Sequence, residues 1–182
     1  YIREHPEKEA YLRWMIGYAL QGDPIQKKFF VLYGKNGYEG KSLLMNTILA
    51  VIEHYGVTMD ESAIMEAPKR SAGGTSSELV HLKGKRVGVL ADTPQDAKFG
   101  HIKQLVSAGD GIAVRALYGE QEVMQPVIVP IINTNFLLSI NLEDLAMYNR
   151  LAILAFEIRF VENPTRTFER QTNHDLSGIF KE

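Results

Sequence analysis

The sequence contains no cysteine, a single tryptophan and no long apolar run, and each absence narrows what the protein can be. Without cysteine it forms no disulfide and no thiolate metal site, which is compatible with a reducing compartment. No stretch is apolar over the roughly 18 residues that a membrane helix needs, so we expect no membrane contact. The formal net charge of −2 argues against a broadly basic coat for nucleic acid. Any such contact must therefore come from a local cluster or from the lining of a pore.

The length of the chain limits the number of domains that it can form. The 182 residues suffice for one domain with a substantial core, and a composition of 45% apolar and 23% charged residues is that of an ordinary globular protein. The chain starts at Tyr1, without methionine and without a signal-peptide pattern. We therefore expect it to be a fragment of a longer protein.

A glycine-rich stretch between a predicted strand and a predicted helix is the most informative part of the sequence. Gly34, Gly37 and Gly40 permit positive φ and leave backbone N–H groups open to an anion. The helix that follows adds unpaired N–H donors and the positive end of its dipole. This is the setting of a P-loop, in which Lys41 contacts the β- and γ-phosphates of a nucleotide and Ser42 binds Mg²⁺. The sequence thus predicts ATP and Mg²⁺ as cofactors.

This loop departs from the usual P-loop spacing. Five residues separate Gly34 from Gly40, one more than the pattern has, and Lys35 stands where the pattern expects glycine. Either the loop carries one extra residue or Gly37 takes over the turn; a plain glycine-rich turn is the structural alternative. The predicted nucleotide-binding residues are Gly34, Asn36, Gly37, Tyr38, Glu39, Gly40, Lys41, Ser42 and Leu43.

The apolar pattern of the whole chain predicts an α/β fold with a central, mainly parallel sheet flanked by helices, plus a β-hairpin insertion. The predicted strands are continuous apolar runs, which are typical of strands buried on both faces. We expect strands at 29–33, 86–91, 127–132 and 151–160, and a hairpin at 112–127. Helices are expected at 6–20, 41–55, 97–108 and after the capping box at 75–78.

Two single residues carry structural predictions of their own. Gly56 follows the 41–55 helix and is predicted to cap its C-terminus. Pro130 is awkward for a central strand because it has no N–H to donate, unless the paired portion of that strand begins at Pro130 itself.

Polar residues close two of the predicted strands. Asp92 follows the run at 86–91, where P-loop enzymes carry an acid close to Mg²⁺ and to the attacking water, so we predict a metal-binding and catalytic role for it. Asn135 follows the run at 127–132, where an amide can bond the γ-phosphate or orient water, and Asn133 competes for that role. The structural alternative is that these are turn residues.

Arg150 precedes the last predicted strand. An arginine placed there can complete the nucleotide site of a neighbouring subunit, and such a residue contributes about 10³- to 10⁵-fold in rate where it has been measured. By itself, an arginine before a strand is usually a solvated charge, and spacing alone does not justify the catalytic assignment.

Taken in order, these motifs resemble those of the superfamily 3 helicases, and most of all the primase-helicases of large DNA viruses, phages and plasmids. The resemblance rests on Lys41-Ser42, on the segments 82–92 and 102–118, on 130–135 and on 149–156. It runs from about residue 10 to residue 161. Four further motifs that follow the P-loop in this order are much more specific than a P-loop alone.

The resemblance implies an AAA+-type P-loop core that forms a ring, usually a hexamer, with ATP between subunits. Lys41, Ser42, Asp92 and Asn135 would lie on one side of the nucleotide, and Arg150 would reach in from the next subunit. The hairpin would move along single-stranded DNA. The predicted DNA-binding residues are Lys103, Arg115, Tyr118, Gly119, Glu120 and Gln121, although Lys103 and Arg115 have structural alternatives.

The resemblance also sets the domain organisation that we expect. Residues 1–25 would form an N-terminal helical segment, 26–161 the ATPase and helicase core, and 162–182 a polar tail. A primase module would lie elsewhere in the full-length chain. The protein would be intracellular, in the host cytoplasm or nucleus if its source is a virus.

Two classes of function remain open from the sequence. The first is an ATP-dependent DNA helicase motor. The second is an ATP-dependent switch that binds or loads on DNA without unwinding it, which the acidic hairpin tip (Glu120, Glu122) and the alanine at residue 91 favour. A small-molecule P-loop kinase is less favoured because no segment of the sequence resembles a lid that would bind the phosphate acceptor.

Overall fold

A five-stranded sheet forms the centre of the computed structural model, which describes residues 5–64, 77–91, 93, 99–107, 109–138 and 144–177. Numbered along the chain, the strands are β1 (Phe29–Tyr33), β2 (Gly56–Thr58), β3 (Val87–Leu90), β4 (Ile112–Arg115), β5 (Gln121–Met124), β6 (Val129–Thr134), β7 (Leu151–Ala155), β8 (Arg159–Val161) and β9 (Glu169–Gln171). The sheet has the order β2-β3-β6-β1-β7, and its strand pairs are parallel. Strands β4 and β5 form a separate antiparallel hairpin. The predicted α/β fold with a parallel central sheet and a hairpin is confirmed.

Helices cover both faces of this sheet. They are α1 (Pro6–Gln21), α2 (Lys41–Ile52), α3 (Ser77–Val80), α4 (Ile102–Leu105) and α5 (Leu145–Arg150). None of the helices in the described ranges combines the length and apolar character needed to cross a membrane.

The core on one face of the sheet is formed by α1 and α2. Met15 of α1 and Met45 of α2 are fully buried against Phe30 and Leu32 of β1. Alternate residues of β1 point to opposite faces, so Phe29 and Val31 enter the core on the other side. Because both faces of β1 are buried, its sequence is apolar throughout.

The core on the opposite face joins short helices, loops and the hairpin. Ile102 and Leu105 of α4 are fully buried there, together with Met147 of α5. Val114 of β4 and Met124 of β5 anchor the hairpin in the same cluster. The hairpin is therefore packed against the domain at its base.

Several predicted boundaries are wrong, and short-range geometry explains two of them. Helix α2 ends at Ile52, where Glu53 takes a positive φ of 43°, and residues 53–55 continue as a 3₁₀ turn. Gly56 has an extended backbone (φ −104°) and begins β2 instead of capping the helix. Residues 99 and 100 are not helical and α4 begins at Ile102, so the helix predicted from 97 is much shorter.

Pro130 lies inside the central strand β6 without disrupting it. The pairing between β6 and β1 begins at Ile131, opposite Phe30, one residue beyond the proline. On the other side, the N–H of Val129 donates to Arg86 O. Successive N–H groups of a strand point to opposite sides, so the position without a donor faces β1 before the ladder starts.

The chain beyond β7 is more ordered than its polar sequence predicts. The predicted strand at 151–160 is interrupted: β7 ends at Ala155, and β8 pairs in parallel with β9. A 3₁₀ turn follows at His174–Ser177.

We expect Phe30→Ala to lower the free energy of unfolding by about 3–5 kcal/mol. Phe30 is fully buried, and the rings of Tyr11, Trp14 and Tyr18 lie 6.2, 5.7 and 6.1 Å from its ring centroid. Chemical denaturation followed by the fluorescence of Trp14, the single tryptophan, measures the loss. Val51→Ala, at a residue that is 75% exposed, is the control and should change stability by less than about 0.5 kcal/mol.

A second expectation concerns the ion pair between α4 and α5. The Lys103 ammonium donates to Asp144 Oδ2 at 2.7 Å, and together with the N–H of Met147 it holds the pKa of Asp144 below its usual range. Because the folded pKa is the lower one, the carboxylate stabilises the fold above its unfolded pKa of about 3.9. This contribution is lost as the pH falls through the folded value.

Near neutral pH, the unfolding temperature of Asp144→Asn should therefore be lower than that of the wild type. Under acid conditions, the unfolding temperatures of the two proteins should converge. Asp110→Asn, which removes an exposed carboxylate, is the matched control. A difference between wild type and Asp144→Asn that stays constant down to about pH 2.5 would contradict this account.

Candidate functional site

The ends of two neighbouring strands bring the glycine-rich loop and Asn135 together. β1 and β6 are adjacent and parallel, and Tyr33 pairs with Thr134 at their carboxyl ends. The pairing continues into the loop, because the N–H of Gly34 donates to Thr134 O at 3.1 Å. The carboxyl ends of parallel strands form the edge where open α/β folds bind ligands.

The loop follows a path that glycine makes possible. Gly37 and Gly40 have φ values of 69° and 82°, and Tyr38 between them has a φ of 59°. Gly40 is the N-cap of α2 and provides no side chain to cap it. The first N–H groups of α2 are therefore left to an external acceptor, which makes this a favourable place for an anion.

The side chain of Lys41 lies at the centre of the site and is buried. Its ammonium donates to Glu39 Oε2 at 2.7 Å, to Asn135 Oδ1 at 3.0 Å and to Gly34 O at 3.4 Å. These three oxygens come from the loop and from the residue after β6. The structure thus brings together Lys41 and Asn135, two of the predicted site residues that are 94 positions apart in the chain.

Glu39 is the most buried charged group of the loop, with 1% of its side chain exposed. Its second oxygen, Oε1, accepts a hydrogen bond from the N–H of Asn36 at 2.6 Å. Gly34 faces this pair closely: a Cβ there would lie 2.5 Å from Lys41 Nζ and 2.6 Å from Glu39 Cδ. A side chain at residue 34 would therefore displace both charged groups.

Residues after β7 support the loop from outside. The N–H of Phe160 donates to Tyr38 O at 2.9 Å, and the guanidinium of Arg159 lies 5.6 Å from the Tyr38 ring centroid. The Phe160 ring lies 3.6 Å from where a Cβ on Gly40 would stand. Sequence reasoning did not find this contact, since nothing in the polar tail or the end of the apolar run indicates it.

Asn135 and Asn133 have different environments. Asn135 is exposed and is followed by a turn in which the N–H of Phe136 donates to Thr134 Oγ1 at 3.0 Å. Asn133 is 5% exposed, and its Oδ1 has no hydrogen-bond partner among the described residues. Of the two, it is Asn135 that contacts Lys41.

Three other predicted nucleotide-binding residues have exposed side chains. Ser42 is exposed in the first turn of α2, Leu43 is 39% exposed and Tyr38 is 77% exposed. Asp92 lies outside the described residues. Its neighbour Thr93 is buried, and its hydroxyl donates to Asn133 O at 3.3 Å.

Arg150 lies at the opposite edge of the sheet from Lys41. It ends α5 directly before Leu151, which pairs with Phe29 at the start of β1, whereas the loop follows the end of β1. The five residues of β1 separate the two edges by about 16 Å. Arg150 Nη1 donates to Ala146 O at 2.8 Å, and its buried Nε has no partner among the described residues. Within one chain, Arg150 and Lys41 are thus not brought together.

The hairpin presents an exposed tip. Tyr118 is 96% exposed and has a positive φ of 61°, while Glu120 and Gln121 are also exposed. Arg115 Nε donates to the carbonyl of Gly119 at 3.0 Å, across the turn. Lys103 lies on α4 and is paired with Asp144, as described above. The predicted DNA-binding residues are therefore divided between the hairpin and α4.

No group of three or more histidine, cysteine, aspartate or glutamate side chains within the described ranges is arranged to hold a metal ion.

Comparison with known proteins gives one sequence relative and several similar structures. No family model matches the chain. It is 30% identical over 170 residues to a putative helicase of Acanthamoeba polyphaga mimivirus, a match that covers 91% of this chain and 17% of the viral protein. The chain thus spans about a sixth of the length of that relative.

Two structures of the NrS-1 C-terminal region share the fold. The A-form apo structure of its residues 305–718 superimposes with a TM-score of 0.58 at 10% identity, covering 93% of this chain and 36% of that one. A second apo structure gives a TM-score of 0.57 at 14% identity, covering 80% and 33%. Over nearly its whole length, then, the chain is similar in sequence to a segment of a viral helicase-like protein and in fold to the NrS-1 C-terminal region.

Proposed function

We propose that this chain is the ATP-hydrolysing motor core of a DNA helicase of superfamily 3, part of a replication protein of a virus or mobile element. The observation that carries the proposal is the 3.0 Å contact between Lys41 Nζ and Asn135 Oδ1. It joins a glycine-rich loop after β1 to the polar end of the neighbouring strand β6. The similarity to a viral helicase-like protein supports the helicase part of the proposal.

The residues of the loop are suited to binding a nucleoside triphosphate together with Mg²⁺. The start of α2 has no side-chain cap, and Gly34 leaves just enough space for Lys41 Nζ. Lys41 would hold the β- and γ-phosphates, and the exposed Ser42 hydroxyl would hold Mg²⁺. ATP, when bound, supplies the phosphoanhydride bond whose hydrolysis drives movement.

The residues at the strand ends would position the reacting groups. Asn135 already holds Lys41 and has an exposed amide that can bond the γ-phosphate or orient the attacking water. Asp92 follows β3 in the chain, and we assign it to the metal and to activation of that water. Phosphoryl transfer depends mainly on such positioning and on electrostatic stabilisation.

Arg150 would act on the site of a neighbouring subunit. Its place about 16 Å from the loop edge excludes contact with Lys41 of the same chain. In a ring, each subunit contacts the next one. Arg150 of one subunit can therefore complete the nucleotide site of its neighbour. This is the role of an arginine finger supplied by a second molecule, and it requires self-association, for which we propose a hexamer.

The hairpin would contact single-stranded DNA in the centre of the ring. The exposed ring of Tyr118 is suited to stacking on a base, a contact worth about 1–3 kcal/mol per base. Neighbouring tips would share one strand, so weak individual contacts add together. A primase module elsewhere in the full-length protein and an intracellular location complete this proposal.

A DNA-binding or loading switch without unwinding activity is the second candidate. This candidate is favoured because two basic side chains are already paired with acidic ones of the same chain. Lys103 pairs with Asp144, and Lys83 pairs with Glu122 of the hairpin. Phosphate contacts supply most of the affinity for nucleic acid, so a hairpin with few open cations grips weakly. A strand-displacement assay on the full-length protein separates the two candidates.

We expect Lys41→Ala to weaken ATP binding by about 10- to 100-fold, because each charge-assisted hydrogen bond is worth about 1.5–3 kcal/mol. ATPase activity stimulated by single-stranded DNA should be abolished. Lys35→Ala, at an exposed lysine of the same loop, is the matched control and should retain both properties. Because the change leaves Glu39 without its buried counterion, thermal unfolding must show that the variant is folded. A folded Lys41→Ala protein with normal turnover would refute the assignment of this loop.

Arg150→Ala should reduce turnover by about 10³-fold or more while leaving ATP affinity close to that of the wild type. Mixing it with Lys41→Ala subunits should restore part of the activity, since some interfaces then combine an intact loop with an intact arginine. Arg13→Ala, on the exposed side of α1, serves as the control. The absence of rescue at every mixing ratio would argue against a site shared between subunits.

A further inference from the structure

The carboxylate of Glu39 lies inside the loop that we assign to the phosphates. Only 1% of the side chain is exposed, although glutamate is a residue that normally points into solvent. Both of its oxygens have a partner: Oε1 accepts from the N–H of Asn36 at 2.6 Å, and Oε2 accepts from Lys41 Nζ at 2.7 Å. The side chain is therefore bound within the loop.

These two partners are the kinds of donor that a P-loop offers to phosphate. A backbone N–H of the loop and the ammonium of the loop lysine are what hold the β- and γ-phosphates in such a site. The position of Gly34 shows how full the loop is, since even a Cβ there would lie 2.6 Å from Glu39 Cδ and 2.8 Å from its Oε2. A phosphate cannot use the same two donors while the carboxylate holds them.

A purely structural role for Glu39, to hold Lys41 in place, is the alternative. Lys41 Nζ has two further acceptors, Asn135 Oδ1 at 3.0 Å and Gly34 O at 3.4 Å. Both are neutral oxygens, and both would remain if the carboxylate moved away. The ammonium therefore stays oriented without Glu39, whereas the N–H of Asn36 would become open to another anion.

We propose that Glu39 acts as an internal anion of the nucleotide site, which the phosphates must displace and which thereby sets how many contacts a ligand needs for measurable binding. The inference rests on the proposed function and deepens it. Every anion that enters must first break the same two hydrogen bonds. A triphosphate replaces them with contacts to Lys41, to the loop and to the start of α2, while a single phosphate replaces only a few. Because this cost is the same for every anion, it lowers all their affinities by the same factor, so a nucleoside triphosphate still binds measurably whereas orthophosphate and pyrophosphate do not.

The test is to neutralise the carboxylate while keeping its shape. In Glu39→Gln, the amide nitrogen is itself a donor, so it cannot accept a hydrogen bond from Lys41 or from the N–H of Asn36. The side chain of residue 39 is then held less strongly inside the loop. A competent state that is about 0.1–10% populated lowers apparent affinity by the same fraction. Calorimetric titration should therefore show ATP binding about tenfold tighter or more, and measurable binding of pyrophosphate that the wild type lacks.

Three further proteins make the titration decisive. Glu61→Gln removes one negative charge at an exposed position and should bind as the wild type does. Glu39→Ala, which removes the carboxylate altogether, should bind like Glu39→Gln and serves if the glutamine variant does not fold. Lys41→Ala reports whether the nucleotide is in this loop at all.

The outcomes separate the two proposals. If Lys41-dependent ATP binding is present in the wild type and Glu39→Gln binds equally or more weakly, the inference about Glu39 is wrong and the nucleotide site stands. If neither the wild type nor Glu39→Gln binds ATP, the proposed function itself fails. A crystal structure of the wild type with a non-hydrolysable ATP analogue gives an independent reading. There, a Glu39 carboxylate still bonded to the N–H of Asn36 would overturn the inference.

Discussion

The burial of one ammonium group is the constraint on which the site depends. A charge withdrawn from water is tolerated only where hydrogen-bonding partners of suitable geometry surround it. Here the partners of Lys41 come from the first residue of the loop, from the loop itself and from the residue after β6. They can meet only because β6 lies next to β1 and because Gly34 has no side chain. The strand order and one glycine thus fix the position of the lysine.

The parts of the fold that follow from local composition were predictable. β1 and β3 are continuous apolar runs, and burial of both their faces explains that pattern. α1 begins at Pro6 and ends at Gln21, directly before Gly22, which has a φ of 72°, as its proline and glycine indicate. In each case the signal and its structural cause lie within a few residues of one another.

The parts that depend on distant partners were not predictable. β2 is short and is set by pairing with β3, so Gly56 is extended although its position after a helix indicates a cap. β9 lies in a polar tail that gives no strand signal, and β8 overlaps the end of the predicted 151–160 strand but pairs with β9 and not with the central sheet. The pairing of Lys103 with Asp144 likewise joins residues 41 positions apart, and no spacing rule indicates it.

The candidate site divides in the same way. The loop residues and their order could be read from glycine spacing, and Asn135 from its place after an apolar run. That Glu39 points inward could not, because a glutamate in a glycine-rich loop is normally solvated. Its burial results from two donors that converge only in the folded loop.

The short parallel pair formed by β8 and β9 has a practical consequence for how the chain is divided. Phe160 of β8 supports the turn at Tyr38 and Gly40, and β8 is itself held by β9 at residues 169–171. A shortened protein that stops at residue 161 would retain every recognisable motif and Phe160 itself, but would lose β9, the strand that pairs with β8. Expression boundaries drawn from motifs alone would therefore remove a strand that stabilises the outer support of the glycine-rich loop at Tyr38 and Gly40.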